Sequence, residues 1–407
     1  MTIAVQTPVP GDARDDVPQG LPAALTIACA VACGVMVANL YYAQPLISLI
    51  APELGLSDSL GGLIVTLTQL GYGAGLLLIV SLADRVENRR LILIMLGCTA
   101  VALVGLALSV STTMFLGAAI AVGFCSAGAQ VIVPFAASLA PPESRGRTIG
   151  NVMAGLLAGI MLARPVASTI AEFAGWRMVF WLSAAMMLVL TVWLGRALPQ
   201  RRPTSSESYG QILRSMARIF ATTPSLRRRA VYQGLVFAVF NIFWTTAPLV
   251  LSRNFGFGQI GVALFALAGA GGALAAPLAG RLGDRGHIWG GTAGALATVT
   301  VSSLLSVWAV SFHWLVALVV LAIALDAGTQ VNQVLGQRVI YTLPGEARGR
   351  LNALYMTIVF LLGAGGSAVA TLAFHHGGWS TSALVGAGLG LLAIGLFATE
   401  RRAKPAA

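Results

Sequence analysis

The chain has 407 residues, 57% of them hydrophobic and only 10% charged, with 25 Lys+Arg against 14 Asp+Glu and a formal net charge of +11. So little charge cannot cover a compact water-facing surface, and so large an apolar share excludes disorder. The basic surplus is not a nucleic-acid footprint, because the arginines fall between apolar runs and form no aromatic–basic patch.

A membrane span takes about 20 apolar residues, and lipid leaves no water for open backbone groups, so each span must be a helix. Residues 1–21 are polar and rich in Asp, Pro and Gly. They lack a basic region followed directly by a short apolar core and a cleavage site, and read as a cytoplasmic tail. Twelve apolar runs follow. Spans 1 to 6 are expected over 23–48, 60–83, 90–110, 114–140, 149–172 and 178–197, forming an N-terminal six-helix bundle over 22–197. Residues 198–229 are a cytoplasmic linker, in which Tyr209 to Phe220 can form a short amphipathic helix on anionic headgroups. Spans 7 to 12 are expected over 230–252, 261–282, 289–311, 314–340, 352–374 and 380–399, forming a second bundle over 230–399 before a C-tail of 400–407.

Basic residues set the orientation. With these spans, 22 of the 25 Lys+Arg lie on the side of the two tails and the linker, Arg177 and Arg253 lie on the other, and Arg164 lies within span 5. Basic loops stay in the cytoplasm, so both termini are expected there, in a cell inner membrane. The four cysteines, Cys29, Cys33, Cys98 and Cys125, sit inside apolar runs and read as small core residues. The pair His375-His376 has no nearby carboxylates, and neither a metal site nor a cofactor is expected.

The two halves repeat at an offset of about 200 residues. Leu82-Ala83-Asp84-Arg85 matches Leu282-Gly283-Asp284-Arg285, and Ala127-Gly128-Ala129-Gln130-Val131 matches Ala327-Gly328-Thr329-Gln330-Val331. Glu143 to Arg147 matches Glu346 to Arg350, Gly175-Trp176 matches Gly378-Trp379, and Asn39 and Pro45 match Asn241 and Pro248. Six helices per half preserve orientation, so the repeat is parallel, about an axis along the membrane normal, which suits a transporter with a site between halves.

These residues resemble the major facilitator superfamily over nearly the whole chain. Its loop signature, G-x-L-x-D-R-x-G-R-R, is matched by Val80 to Arg90 with Val80 and Glu87 in place of the glycines, while the second copy keeps Gly280, Leu282, Asp284 and Arg285. Asn39-Leu40-Tyr41-Tyr42-Ala43-Gln44-Pro45-Leu46 and Gly175-Trp176-Arg177 look like the twelve-helix bacterial efflux branch that exchanges drugs or metabolites for protons. The resemblance implies an all-α membrane protein: two six-helix bundles related by a pseudo-two-fold axis, which alternate access by rocking. It further implies that spans 1, 4, 7 and 10 line the cavity, and that Asp84, Arg85, Asp284 and Arg285 belong to a cytoplasmic gate. A carboxylate there can cap a neighbouring helix N-terminus. The candidates are the starts of spans 11 and 5, after Arg350 and Arg147, with a plain surface salt bridge as the alternative.

Charge inside lipid costs roughly 2.5–3.5 kcal/mol even on insertion scales. Arg164 and Asp326 are the two charges well inside spans. Asp326, Gln330, Gln333 and Gln337 recur at helical spacing as one polar stripe on span 10. Asp326 is a candidate proton or substrate carboxylate, or a structural partner of Arg164. Arg164 is a candidate switch partner or anion-binding group. In the second half its position is taken by Ser367, so any charge effect is one-sided. Span 7 carries Gln233, Phe237, Asn241 and Trp244, span 1 Asn39 and Tyr42, and span 4 Gln130. Amides and aromatics suit a mixed polar and apolar small molecule, or helix packing through buried amides. Glycines 155, 159, 271, 272, 363, 365 and 366 are expected to permit close helix approach.

The leading expectation is a monomeric secondary exporter of a small organic compound, driven by proton entry. An importer or facilitator of an organic anion held by Arg164 is the first alternative, and a non-transporting membrane sensor the second. No nucleophile–base set or phosphate loop points to an enzyme.

Overall fold

The computed structural model describes residues 22–203, 207–343 and 348–400. The tails at 1–21 and 401–407, with Arg14, Arg401, Arg402 and Lys404, lie outside the described residues, as do 204–206 of the linker and Glu346 and Ala347 of the second charged repeat. All regular structure among the described residues is helical.

Four spans are single helices in each expected place: span 2 at Leu63–Leu82, span 3 at Asn88–Ala107, span 5 at Arg145–Ala174 and span 6 at Trp176–Ala197. In the second half span 7 is Pro224–Phe255, span 9 Ile288–Ser311 and span 10 Leu315–Tyr341. Spans 11 and 12 form one hydrogen-bonded run, Arg348–Glu400, broken at Gly377 and Gly378. Gly378 has φ +62° and Gly175, its repeat partner, φ +79°. Both precede a buried Trp, so the repeat is one of backbone as well as sequence: each half turns a corner that an L side chain rarely adopts.

Spans 1, 4 and 8 depart from the continuous helices expected. Span 1 runs Ala23–Ala38, tightens into turns with i→i+3 hydrogen bonds through residues 39–43, and continues as Gln44–Leu46 and Ile47–Glu53. Pro45 has no N–H to carry the ladder across that point. Span 4 divides into Thr112–Ser126 and Ala129–Leu139. A Cβ at Gly128, between them, would lie 2.7 Å from Met95 Cβ. Span 8 divides into Gln259–Gly269 and Ala276–Asp284 around the tighter turn Ala270–Ala275. A Cβ at Gly272 would lie 2.5 Å from Asp326 Cβ, so the missing side chain lets span 8 pass directly against the span 10 carboxylate.

Glycine sets several other crossings. A Cβ at Gly123 would lie 1.8 Å from the Thr68 carbonyl, and one at Gly159 2.1 Å from that of Gly34. Of the glycines expected to serve this way, 155, 159, 272, 363 and 366 do, whereas Gly271 and Gly365 face open space. Periodicity alone does not tell which side of a helix meets a neighbour.

The halves meet along spans 2 and 11 and along spans 5 and 8. At the end away from the termini, Gly62 N–H donates to Thr371 Oγ1 at 2.9 Å, and Thr66 Oγ1 to the Ala364 carbonyl at 3.2 Å. Glu172 accepts from Gln259 N–H at 3.2 Å. At the termini-bearing end, Glu87 caps span 3, accepting from the backbone of Arg89 and Arg90 at 2.9 Å each. This accounts for Glu where the signature has Gly. The linker helix, Tyr209–Thr222, opens with a Ser208–Gln211 capping box. Its apolar face docks on protein rather than on headgroups: Ile212 and Met216 are buried, Ser81 Oγ reaches Met216 Sδ at 3.0 Å, and Tyr209 OH donates to the Leu78 carbonyl.

Gly123→Ala is expected to lower the melting temperature of the detergent-purified protein, because overpacking against backbone costs roughly 1–3 kcal/mol. Gly117→Ala, where a Cβ meets nothing within 4 Å, leaves it unchanged. Thermal unfolding followed by circular dichroism checks both.

Candidate functional site

Arg164, on span 5, is 5% exposed. Its guanidinium lies 4.7 Å from the Trp244 ring centroid, 5.0 Å from that of Tyr41 and 5.1 Å from that of Phe240. Three aromatic faces thus replace water around a permanent cation, at about 2 kcal/mol or more each when desolvated. Arginine suits such a box because its plane is weakly hydrated and stacks, as lysine does not. Arg164 Nε donates to Gln44 Oε1 at 2.8 Å, and Gln44 Nε2 donates in turn to Thr245 Oγ1 at 3.0 Å. Arg164 Nη2 is buried with no hydrogen-bond partner.

Asp326 forms no ion pair with Arg164 among the described residues. Trp244 stands between them. Its ring faces the guanidinium, and its Nε1–H donates to Asp326 Oδ1 at 2.7 Å. In place of the direct pair that was the alternative reading of Asp326 there is an aromatic bridge joining spans 5, 7 and 10. Beside it lies a cavity of about 70 Å³, lined among others by Tyr41, Phe237, Asp326, Thr329, Gln330 and Gln333. The largest cavity described, about 830 Å³, is elsewhere: a mostly apolar groove between spans 1 and 5 that opens past Ile27, Val31, Leu162 and Val166 on the side of the bundle.

The central cavity thus gathers Arg164, Asp326, Phe237, Gln330 and Gln333 of the sequence candidates. Gln233 is fully buried behind it, accepting from Asn332 Nδ2 at 2.7 Å and donating to Gln333 Oε1 at 3.4 Å. Asn241 exchanges two hydrogen bonds of 3.0 Å with Gln69 of span 2, a reciprocal amide pair between halves. Gln130 donates to Tyr72 OH at 3.2 Å and borders a second inter-half cavity of about 320 Å³, near Asp84 and Arg350. Gln337, the end of the span 10 stripe, donates to Asn352 at 3.2 Å.

Asn39 and Tyr42 are not in the central cavity. Asn39 Oδ1 accepts from Ser183 of span 6 at 2.6 Å, and Tyr42 faces the side groove. The α-helical spacing does not hold through residues 39–43, where the helix tightens into i→i+3 turns, and the change of pitch turns Tyr41 and Gln44 inward instead. Phe240 and Gln69 were likewise missed. A lone Gln in the apolar run of span 2 was a signal for the latter, and Phe240 carried none among so many apolar neighbours.

The gate residues divide unevenly. Asp84 meets Arg350 of the other half at 3.4 Å, and Arg350 also binds Ser215 at 2.9 Å and Glu207 of the linker. Asp284 does not reach the start of span 5. It pairs with Arg338 of its own half at 2.6 Å. Arg85 and Arg285 are exposed, and their side chains make no hydrogen bond or ion pair among the described residues.

The sequence profile of the Major Facilitator Superfamily matches residues 27–333 and 229–407. This chain belongs to the major facilitator superfamily. Its relatives in the superfamily include the uncharacterized transporter YgaY of Escherichia coli O157:H7, 41% identical over 362 residues, covering 88% of this chain and 91% of YgaY. The purine ribonucleoside efflux pump NepI of Escherichia coli O6:K15:H31 is 26% identical over 231 residues, covering 54% of this chain and 55% of NepI. Among solved structures, a bacterial homologue of the human lysosomal transporter Spinster, inward-facing and unoccupied, superposes with TM-score 0.71 at 16% identity, covering 94% of this chain and 99% of that one. The chain is thus a multi-pass membrane transporter of a small substrate, not an enzyme, with the superfamily's twelve-helix fold.

The Gln69–Asn241 pair yields a testable coupling. Leu at either position leaves a buried amide unpaired, whereas Leu at both removes the need. A double-mutant cycle on unfolding of the reconstituted protein is expected to give about 0.5–2 kcal/mol of interaction, and strictly additive effects would contradict the reciprocal bond.

Proposed function

We propose that this superfamily member exports a small organic drug or metabolite in exchange for protons, with Asp326 as the proton-carrying group and Arg164 as its fixed positive partner. The observation that carries the reading is the bridged arrangement: a membrane-buried carboxylate and a membrane-buried cation share one cavity wall without contacting each other. A carboxylate in direct contact with the guanidinium would be locked in the charged form, whereas one held through a neutral indole can give and take a proton. Kinship with NepI, a named efflux pump, supports the direction. The substrate contacts fall to Phe237, Gln330 and Gln333, with Gln130, Gln233, Asn241 and Trp244 shaping the walls.

In this reading the two bundles, 22–197 and 230–399, rock about the cavity, joined by the linker 198–229. The protein lies in the inner membrane with both termini in the cytoplasm, where most of its arginines would lie. The Gln44–Thr245 and Gln69–Asn241 contacts close the periplasmic side, and Asp84–Arg350 ties spans 2 and 11 on the cytoplasmic side. Protonating Asp326 weakens a charge-assisted bond to Trp244. Trp244 and Thr245 are neighbours on span 7, so the proton is felt at the contact that Gln44 makes with Arg164. Import of an organic anion on Arg164 is the second reading, and the unpartnered Nη2 favours it.

Proteoliposomes with an imposed pH gradient separate the two. Under the export reading, gradient-driven transport falls at least about tenfold in Asp326→Asn, while exchange of substrate for substrate persists at saturating substrate, since the proton then has no carrier. Transport indifferent to the gradient, and lost in Arg164→Gln but not in Asp326→Asn, would establish the anion reading instead.

A further inference from the structure

We infer that the central cavity takes a small zwitterion, a molecule with a carboxylate at one end and an ammonium at the other, with the carboxylate on Arg164 and the ammonium on Asp326. The inference rests on the reading that this cavity holds the substrate, and it names the substrate's chemistry. Four observations carry it.

First, Arg164 has donors without partners, since no hydrogen bond among the described residues reaches Nη1 or Nη2. Nε is taken by Gln44, the flat faces by Trp244, Tyr41 and Phe240, and Nη2 is left buried without a partner. A desolvated guanidinium N–H is a strong demand for an acceptor, and a carboxylate answers it best.

Second, Asp326 has an open acceptor. Oδ1 receives the Trp244 indole, and no hydrogen bond among the described residues reaches Oδ2. The tryptophan that separates the charges thus also occupies one oxygen and leaves the other for a donor.

Third, the faces of three aromatic rings are already used, and Phe237, which also lines the cavity, stacks on Phe240. An ammonium commonly binds over Trp, Tyr or Phe. Here those of Trp244, Tyr41 and Phe240 stack on Arg164, and a second cation beside the guanidinium would be repelled. The charged group able to receive an ammonium in this cavity is Asp326.

Fourth, the charges agree. The charged side chains lining the cavity are Arg164 and, in its unprotonated form, Asp326. A simple anion would satisfy Arg164 and leave Asp326 unpaired, a simple cation would do the reverse, and a zwitterion satisfies both. At about 70 Å³ the cavity has room for about two waters, so in this conformation it admits only the smallest of such molecules. Gln330 and Gln333 add neutral donors and acceptors along the wall. The arrangement also gives the exchange its logic: Asp326 Oδ2 can hold a proton or the substrate's ammonium, not both.

The test is binding at fixed pH, with no gradient, to the purified full-length protein. Glycine, β-alanine and γ-aminobutyrate serve as zwitterions of graded length, with propionate and propylammonium as single-charge controls. The best zwitterion is expected to bind at least about tenfold tighter than either control, since it makes two charge-assisted contacts instead of one. Asp326→Asn is expected to bring its affinity down to that of propionate, and Arg164→Gln to that of propylammonium. Arg164→Lys keeps the charge and guards against an unfolded variant; it should recover part of the loss. Propionate or propylammonium binding as tightly as every zwitterion would overturn the inference, as would failure of all three zwitterions to bind. A zwitterion that binds tightly but is not driven by a pH gradient would leave the inference standing and refute the proton-exchange reading.

Discussion

A buried arginine without a carboxylate in contact is the constraint on which the rest of this transporter depends. A guanidinium taken from water into the membrane interior must be compensated, and here the compensation is three aromatic faces, one glutamine and a carboxylate held at one remove by an indole. Each component comes from a different place in the chain. Tyr41 and Gln44 come from the tightened part of span 1, Arg164 from span 5, Phe240 and Trp244 from span 7, and Asp326 from span 10. The cation therefore ties together both halves of the molecule at the level where access must alternate.

The change of pitch in span 1 and the tight turn in span 8 follow from the same demand. Gln44 reaches Arg164 because the helix tightens into turns before Pro45, and Asp326 sits close against span 8 because Gly272 has no side chain. Both are departures from regular helix beside a polar cavity, where backbone groups can be satisfied by protein instead of lipid. The charge is also one-sided. Ser367, at the repeat position of Arg164, is fully buried in the seam of spans 2 and 11, where its backbone carbonyl would lie 2.1 Å from a Cβ at Gly62. The two halves thus share a fold but not its charge: one seam is small and close-packed, and the other carries the buried cation.

Much of this was legible in the sequence, for identifiable reasons. Twelve spans follow from the lengths of apolar runs, and the repeat from paired motifs such as Gly175-Trp176 and Gly378-Trp379, whose glycines share a positive φ. Arg164 and Asp326 stood out because charge within lipid is rare. What was not legible depended on three-dimensional register. Asn39 and Tyr42 lie where the α-helix tightens into turns, so α-helical spacing misplaces them, Asp284 finds a partner in its own half instead of in span 5, and Arg164 and Asp326 are bridged by Trp244. Periodicity reports faces of regular α-helices, and it fails where a helix changes pitch.

The central claim is that the charge on Asp326 sets which side of the molecule is closed. Electron–electron distance measurement in nanodiscs tests it most directly, with spin labels at Val110 and Phe312, exposed sites in different halves at the end away from the termini, and the four native cysteines replaced. The account predicts that Asp326→Asn, a permanent mimic of the protonated carboxylate, adds a longer-distance population at that end. Identical distance distributions in the parent protein and Asp326→Asn, at both acid and neutral pH, would contradict it.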